Sequence, residues 1–135
     1  MNEIQQQFIP CRKCTCSALR RASRALTRHF EKQFRGAGLR ATQFTILATL
    51  IQTDAIAISR LAKLLGVERT TLTRNLGPLE KRKLVQLTGD SDGRVRQVAI
   101  TGAGLALARK TLPRWKNAQA GATAVLQQFD VKVGT

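Results

Sequence analysis

Arginine and threonine side chains recur on one side of a segment with helical spacing. Between residues 68 and 81 the buried side of the predicted helix would consist of Leu72, Leu76 and Leu79. The polar residues on the other side are Arg69, Thr70, Thr73 and Arg74, with Thr71 next to them. Arginine can donate two hydrogen bonds to a guanine edge, and threonine can contact a phosphate or a thymine methyl. This face is suited to reading base edges in a major groove, and it could also be an ordinary solvated surface.

Three cysteines form the second group of chemically active residues. Cys11, Cys14 and Cys16 lie within six residues near the N-terminus. They could be ordinary reduced thiols, as expected in the cytosol, or soft ligands for a metal or metalloid ion. Because His29 is the only histidine, a zinc site would need ligands from a second subunit, and we assign no metal and no cofactor.

The third interpretation of the cysteines is a redox switch. Cys16 is near the start of a predicted helix, and Arg12, Lys13 and Arg20 are close to it in sequence. Both features favour the thiolate, which is the form that reacts with oxidants. Cys11 or Cys14 could then form a disulfide with oxidised Cys16, and Cys11 is the easier partner because a bridge across one residue is strained.

A second, shorter helix precedes the basic one. Ser59 is a plausible N-cap for a helix over residues 60–65, with an apolar face of Leu61, Leu64 and Leu65 and with Gly66 at its end. Pro78 should kink or end the basic helix. Two helices joined by this short turn predict a helix-turn-helix.

Two β-rich runs follow the basic helix. Residues 84–87 and 95–100 read as strands, and the glycines and aspartates of residues 88–94 favour a tight hairpin between them. Arg94 at the tip of this hairpin could enter a minor groove, held by paired hydrogen bonds that its guanidinium donates to Asp92. Arg96 is a further candidate for a phosphate contact.

Amphipathic helices are predicted on both sides of this region. The apolar stripe of residues 17–35 consists of Leu19, Ala22, Leu26, Phe30 and Phe34. Phe44, Leu47 and Leu50 mark the next helix as core-facing, and Thr101 is a good N-cap for a last helix that reaches about residue 130 and that Pro113 should bend. The first and last helices offer more apolar surface than one small domain can cover, which predicts a dimer.

Composition narrows the class of partner. The chain has 23 Lys and Arg against 8 Asp and Glu, a net charge of +15, which favours a polyanion. RNA or an anionic membrane would also attract this charge, but aromatic residues make up only 4% and tyrosine is missing, so stacking platforms for unpaired bases are scarce. With 135 residues, no long apolar run and no assembled catalytic group, we expect a single-domain, cytoplasmic, non-enzymatic protein.

Several motifs in combination resemble the multiple-antibiotic-resistance regulator (MarR) family of bacterial transcription factors. They are residues 65–76 (LGVERTTLTRNL), residues 79–85 (LEKRKLV) and Asp92-Gly-Arg94 leading to residues 98–101. Residues 38–44 resemble the family's entry into its second helix, and residues 101–104 the start of its C-terminal dimer helix. Residues 16–28 resemble the segment that carries the peroxide-reactive cysteine in the family's organic-hydroperoxide-sensing branch, which implies a sensor role for Cys16.

The resemblance implies a mainly α fold. A winged helix-turn-helix with a small β-hairpin wing would occupy residues 41–101, and dimerisation helices would occupy residues 17–35 and 102–130. It further implies a homodimer that binds double-stranded DNA at a roughly palindromic operator through residues 69–74 and Arg94, as a repressor. A non-specific basic or architectural nucleic-acid-binding protein is the alternative function, and a small aromatic ligand or a metal ion is the alternative effector.

Overall fold

The computed structural model describes residues 1–89 and 96–129. These residues form mainly helices and one small antiparallel sheet. The elements are α1 (Glu3–Gln7), a 3₁₀ helix (Ile9–Lys13), α2 (Thr15–Gln33), α3 (Ala41–Ile51), β1 (Ile56–Ala57), α4 (Ile58–Leu65), α5 (Arg69–Lys81), β2 (Val85–Thr88), β3 (Gln97–Ile100) and α6 (Gly102–Leu126). This order confirms the predicted mainly α winged helix-turn-helix. Within the described ranges, no helix is long and apolar enough to cross a membrane.

The chain divides into two compact units. One contains Met1–Gln33 and the residues from Arg114 onward, and the other is Phe34–Pro113. Helix α6 begins in the second unit and continues into the first. The prediction of one domain over residues 1–135 stays a prediction.

The second unit has a leucine-rich core. Phe44, Leu47 and Leu50 of α3 are buried, as the sequence predicted. The ring of Phe34 lies 5.2 Å from that of Phe44, so this residue packs in the second unit and does not extend the stripe of α2, which ends at Gln33. Thr101 caps α6 as predicted, because its hydroxyl oxygen accepts a hydrogen bond from the Gly104 N–H at 3.0 Å.

The sheet contains a strand that the sequence pattern did not predict. Its strand order is β1-β3-β2, and Val98 of β3 lies opposite Ile56 on one side and Leu87 on the other. Strand β1 has two residues, which is too short for an alternating pattern to be recognised. It ties the start of α4 to the wing, since the Ile58 N–H donates to the Arg96 carbonyl at 3.1 Å.

Helix α4 corrects two predictions. It begins at Ile58, with Ala57 at the cap position and no side-chain cap, so Ser59 lies inside the helix and is not the N-cap. The buried positions are Ile58, Leu61 and Ala62, whereas Leu64 is 58% exposed. Ile58, Leu61 and Ala62 follow the i, i+3, i+4 spacing of one helical stripe, and Leu64 lies outside that stripe on the solvent side.

Neither proline inside a helix ends it. Helix α5 continues past Pro78 to Lys81, and α6 continues past Pro113 to Leu126. A proline removes one backbone donor, and the leucines around Pro78 still anchor the last turn of α5 in the core. Of the two alternatives predicted at Pro78, an end of the helix is therefore excluded, whereas a kink there and the bend at Pro113 stay predictions.

The first unit leaves part of its apolar surface uncovered. Ala22 of α2 is buried as expected, but Leu19 is 54% exposed. The His29 Nε2–H donates to the Ala118 carbonyl of α6 at 2.8 Å, and the imidazole lies about 3 Å from where a Cβ on Gly121 would stand. A glycine at position 121 therefore lets α2 and α6 approach each other closely at this histidine.

Candidate nucleic-acid interface

Helix α5 presents the polar face that the sequence predicted. Leu72, Leu76 and Leu79 are almost completely buried. The exposed residues on the other side are Arg69, Thr70, Thr73 and Arg74, and Thr71 is half-buried at the edge of this face. We call these five residues the α5 face; its contact with DNA stays a prediction.

The turn before α5 fixes the direction in which this face points. Gly66 adopts the left-handed conformation with φ of 68°, which glycine tolerates without strain. The Val67 N–H then donates to the Ala62 carbonyl at 3.0 Å and closes the end of α4. Because Leu61 and Leu72 are both fully buried, α4 and α5 are held by packing as well as by the turn.

The hydroxyl of Thr73 makes a hydrogen bond within its own helix. It donates to the Arg69 carbonyl at 2.9 Å. The hydroxyl proton is therefore used, and the groups left for a partner are the methyl and the oxygen lone pairs. This suits contact with a thymine methyl better than donation to a phosphate.

The wing residues are only partly described. Arg96 is exposed immediately before β3, and its carbonyl is held by Ile58. Its side chain is thus carried on a fixed backbone, as a phosphate contact requires. Asp92 and Arg94 lie outside the described residues, and their predicted roles at the hairpin tip stay predictions.

The three cysteines are exposed and free. Cys11 lies in the 3₁₀ helix, Cys14 follows it, and Cys16 is the second residue of α2. No group of three His, Cys, Asp or Glu side chains suited to a metal ion occurs in the part of the chain that the structure describes. The redox role of the cysteines stays a prediction.

A basic cavity lies close to the cysteines in sequence. It has a volume of about 310 Å³ and is lined by cationic residues on either side of Cys14 and Cys16: Arg12, Lys13 and Arg21. The Arg21 guanidinium donates to the Ser17 hydroxyl at 2.8 Å, which holds it along the first turns of α2. Cationic residues that are close to the cysteines in sequence thus lie together around one cavity.

The structure adds one feature that the sequence reasoning missed. Arg40 stands at the N-cap position of α3 and lines a cavity together with Arg74 of α5. An arginine in a position where serine, threonine or aspartate is usual was the available signal. Sequence spacing alone could not bring residues 40 and 74 together.

Comparisons with known proteins agree with this architecture. Residues 39–95 match the model of the MarR family. A transcriptional regulator of M. tuberculosis, MosR, in complex with DNA is 38% identical, with a TM-score of 0.74, and the match covers 83% of this chain and 82% of that one.

Two other solved structures are similar to the chain. For BpsR of Bordetella bronchiseptica, whose DNA binding is regulated by 6-hydroxynicotinic acid, identity is 26% and the TM-score 0.69 over 77% of this chain and 75% of that one. A mutant MarR of E. coli complexed with operator DNA shares the fold at 20% identity, with a TM-score of 0.73 over 91% of this chain and 86% of that one. No curated protein gave a match.

The winged helix-turn-helix, the exposed α5 face and the likeness to MosR over four fifths of both chains lead to one assignment. The chain belongs to the MarR family of DNA-binding transcription regulators.

Proposed function

We propose that the chain is a homodimeric repressor that binds a roughly palindromic operator and releases it when Cys16 is oxidised. The single observation that carries the operator-binding part is the α5 face, which places two arginines and two threonines in solvent opposite a fully buried leucine stripe. Such a helix can enter a major groove without uncovering its core.

The members of the α5 face have different parts in this proposal. Arg69 and Arg74 supply guanidinium groups for guanine edges, and Thr73 supplies a methyl for thymine. Thr70 and Thr71 contact phosphate or base edges at the rim. Arg96 contacts the backbone from the wing, and Arg94, held by Asp92, enters the minor groove, which rests on the family resemblance.

The dimer is supported by the apolar surface of the first unit. Six large apolar side chains in the described part of this unit are exposed in the single chain: Met1, Ile4, Phe8, Ile9, Leu19 and Leu126. Exposed apolar side chains in such number are typical of an association surface. A two-fold dimer would place two inverted half-sites about 10 base pairs apart, one turn of B-DNA.

The oxidation step uses the exposed thiol of Cys16. Its thiolate attacks the outer oxygen of an organic hydroperoxide, the O–O bond breaks, and the products are a sulfenic acid and, after protonation by water, an alcohol. The thiol of Cys11 or Cys14 then attacks the sulfenic sulfur, and a disulfide forms with release of water.

The environment of Cys16 supports this chemistry. The residue lies in the first turn of α2, near the positive end of the helix dipole. Its side chain is exposed, so a hydroperoxide can reach the sulfur. Arg21 of the same helix is held by its hydrogen bond to Ser17.

A small aromatic effector is the second candidate. It is favoured by the likeness to BpsR, whose DNA binding is regulated by 6-hydroxynicotinic acid. Such a ligand would release operator DNA from fully reduced protein, and it would do so in the absence of Cys16.

The test compares wild-type protein with Cys16→Ser on an operator selected from random duplexes. Fluorescence anisotropy is measured with reduced protein and again after treatment with cumene hydroperoxide. We expect oxidation to abolish binding by the wild type and to leave Cys16→Ser bound, while Cys11→Ser and Cys14→Ser identify the resolving thiol by mass spectrometry. A full oxidant response from Cys16→Ser would refute the sensor role.

A further inference from the structure

A polar cavity lies between the start of α3 and the middle of α5. Its volume is about 270 Å³. The polar side chains that line it are Arg40, Thr42, Gln43, Arg74 and Asn75. Two of these are arginines and none is a carboxylate, so the cavity is suited to an anion.

The guanidinium of Arg40 is available to a ligand because it cannot serve its own helix. Arg40 occupies the N-cap position of α3 with extended backbone angles, φ −78° and ψ 153°. A guanidinium group carries only donors, so it cannot accept from the first-turn N–H groups as a serine or aspartate would. Only the backbone of Arg40 takes part in capping α3, and its side chain makes no cap hydrogen bond, which leaves the guanidinium for another partner.

The backbone around Arg40 is fixed. Its N–H donates to the Gln43 side-chain oxygen at 3.0 Å. Just before it, the Gly38 carbonyl accepts from the Arg82 guanidinium at 2.7 Å, which ties this loop to the end of α5. The first bond fixes Arg40 at the start of α3, and the second ties the loop before it to the end of α5.

Thr42 and Asn75 are uncharged hydrogen-bond donors that line the same cavity. Within residues 1–89 and 96–129, neither the Thr42 hydroxyl nor the Asn75 amide has a hydrogen-bond partner. By contrast, Thr45 and Thr49, farther along α3, donate their hydroxyls to carbonyls of their own helix, at 3.1 Å and 2.9 Å. Thr42 and Asn75 can both donate to an oxygen bound between the helices.

We propose that this cavity holds one backbone phosphate of the bound duplex, with Arg40 as its charged ligand and with Thr42 and Asn75 as neutral donors. Arg74 closes the cavity on the side of the α5 face, so a phosphate seated here sets the depth at which that face meets the base edges. The inference rests on DNA binding by the α5 face and is independent of the oxidation step.

The test uses Arg40→Ser in the full-length protein. Serine is a good N-cap, so the variant should unfold at the same temperature as the wild type or a higher one. Weaker DNA binding by this variant would then reflect the loss of the Arg40 contact with DNA and not a loss of folded protein. Anisotropy is measured from 50 to 300 mM salt on the selected operator and on a scrambled duplex of equal length. The matched control is Arg109→Ser, which removes one exposed charge from α6.

We expect Arg40→Ser to weaken binding to both duplexes by the same factor, about tenfold or more at low salt. The slope of log affinity against log salt should fall by roughly 0.9 for each phosphate lost, or roughly 1.8 for a dimer. Arg109→Ser should change the slope much less. Equal effects of the two variants, or a loss confined to the operator, would overturn the phosphate site.

Failure of the phosphate site can be distinguished from failure of the proposed repressor function. If wild-type protein failed to prefer its selected operator, the proposed function would fail. The slope comparison on the scrambled duplex would still decide whether Arg40 binds a phosphate.

Discussion

Gly104 marks the closest approach of α6 to the base of the wing. A Cβ at this position would collide with the backbone carbonyl of Leu84 and would lie 2.8 Å from Cγ1 of Ile100. The Leu84 carbonyl already accepts from the Thr101 N–H at 3.1 Å, so it cannot swing away without breaking that bond. We therefore predict that Gly104→Ala strongly destabilises the DNA-binding unit.

The loss in the free energy of unfolding can be estimated from the atoms with which the added Cβ collides. Overpacking usually lowers the free energy of unfolding by about 1–3 kcal/mol. Because the Cβ collides with backbone atoms, which cannot rotate away as a side chain can, we expect a loss of about 3 kcal/mol or more for this variant. Alanine regains up to about 1 kcal/mol over glycine in a helix, which does not compensate. With an m-value of about 1.5 kcal/mol/M, the urea midpoint should fall by more than about 1 M.

The assay is urea unfolding followed by circular dichroism at one fixed protein concentration, because the stability of any protein that associates depends on its concentration. The control is Gly102→Ala at the start of the same helix, where a Cβ meets no atom within 4 Å. Gly102→Ala should leave the midpoint unchanged or raise it. A Gly104→Ala midpoint equal to that of the control would refute the packing of α6 against Leu84.

The remaining predictions concern α5 and the wing. Arg74→Ala should cost about 1–3 kcal/mol on the operator and relax base preference at one position, whereas Arg96→Ala should weaken all sequences alike and lower the salt slope by about one for each bound subunit. Anisotropy on operator variants measures both effects, and equal losses from Arg74→Ala on operator and scrambled duplexes would remove it from the base-reading set. Gly77→Ala should raise the free energy of unfolding by about 0.5–1 kcal/mol, because Gly77 lies inside α5 with open space around its missing Cβ; a lower urea midpoint would contradict this.

Periodicity predicted the long elements well. The leucines of α5 and the core positions of α3 are buried where the sequence placed them, and Thr101 caps α6. These predictions succeeded because helical spacing and cap chemistry are local properties that the whole fold then reinforces.

The predictions that were wrong or missing share one physical cause, which is that long-range contacts determine these parts of the fold. The start of α4 is set by a hydrogen bond from Ile58 to Arg96 across the sheet, so the local signal of Ser59 was overridden. Strand β1 exists because β3 pairs with it, and its two residues carry no pattern of their own.

The candidate site was predictable in part for the same reason. The α5 face lies on one helix, and its spacing alone placed its residues together. The cavity beside it joins Arg40 to Asn75, and only tertiary packing brings residues so distant in sequence to one place.

The most direct test of sequence-specific DNA recognition is the ratio of two dissociation constants for the reduced wild-type protein. One is measured on the selected operator and the other on a scrambled duplex of the same length and base composition, at physiological salt. Reading of base edges by the α5 face predicts a ratio of about a thousand or more in favour of the operator. Equal dissociation constants would contradict it and would leave a basic protein that binds duplexes through charge alone.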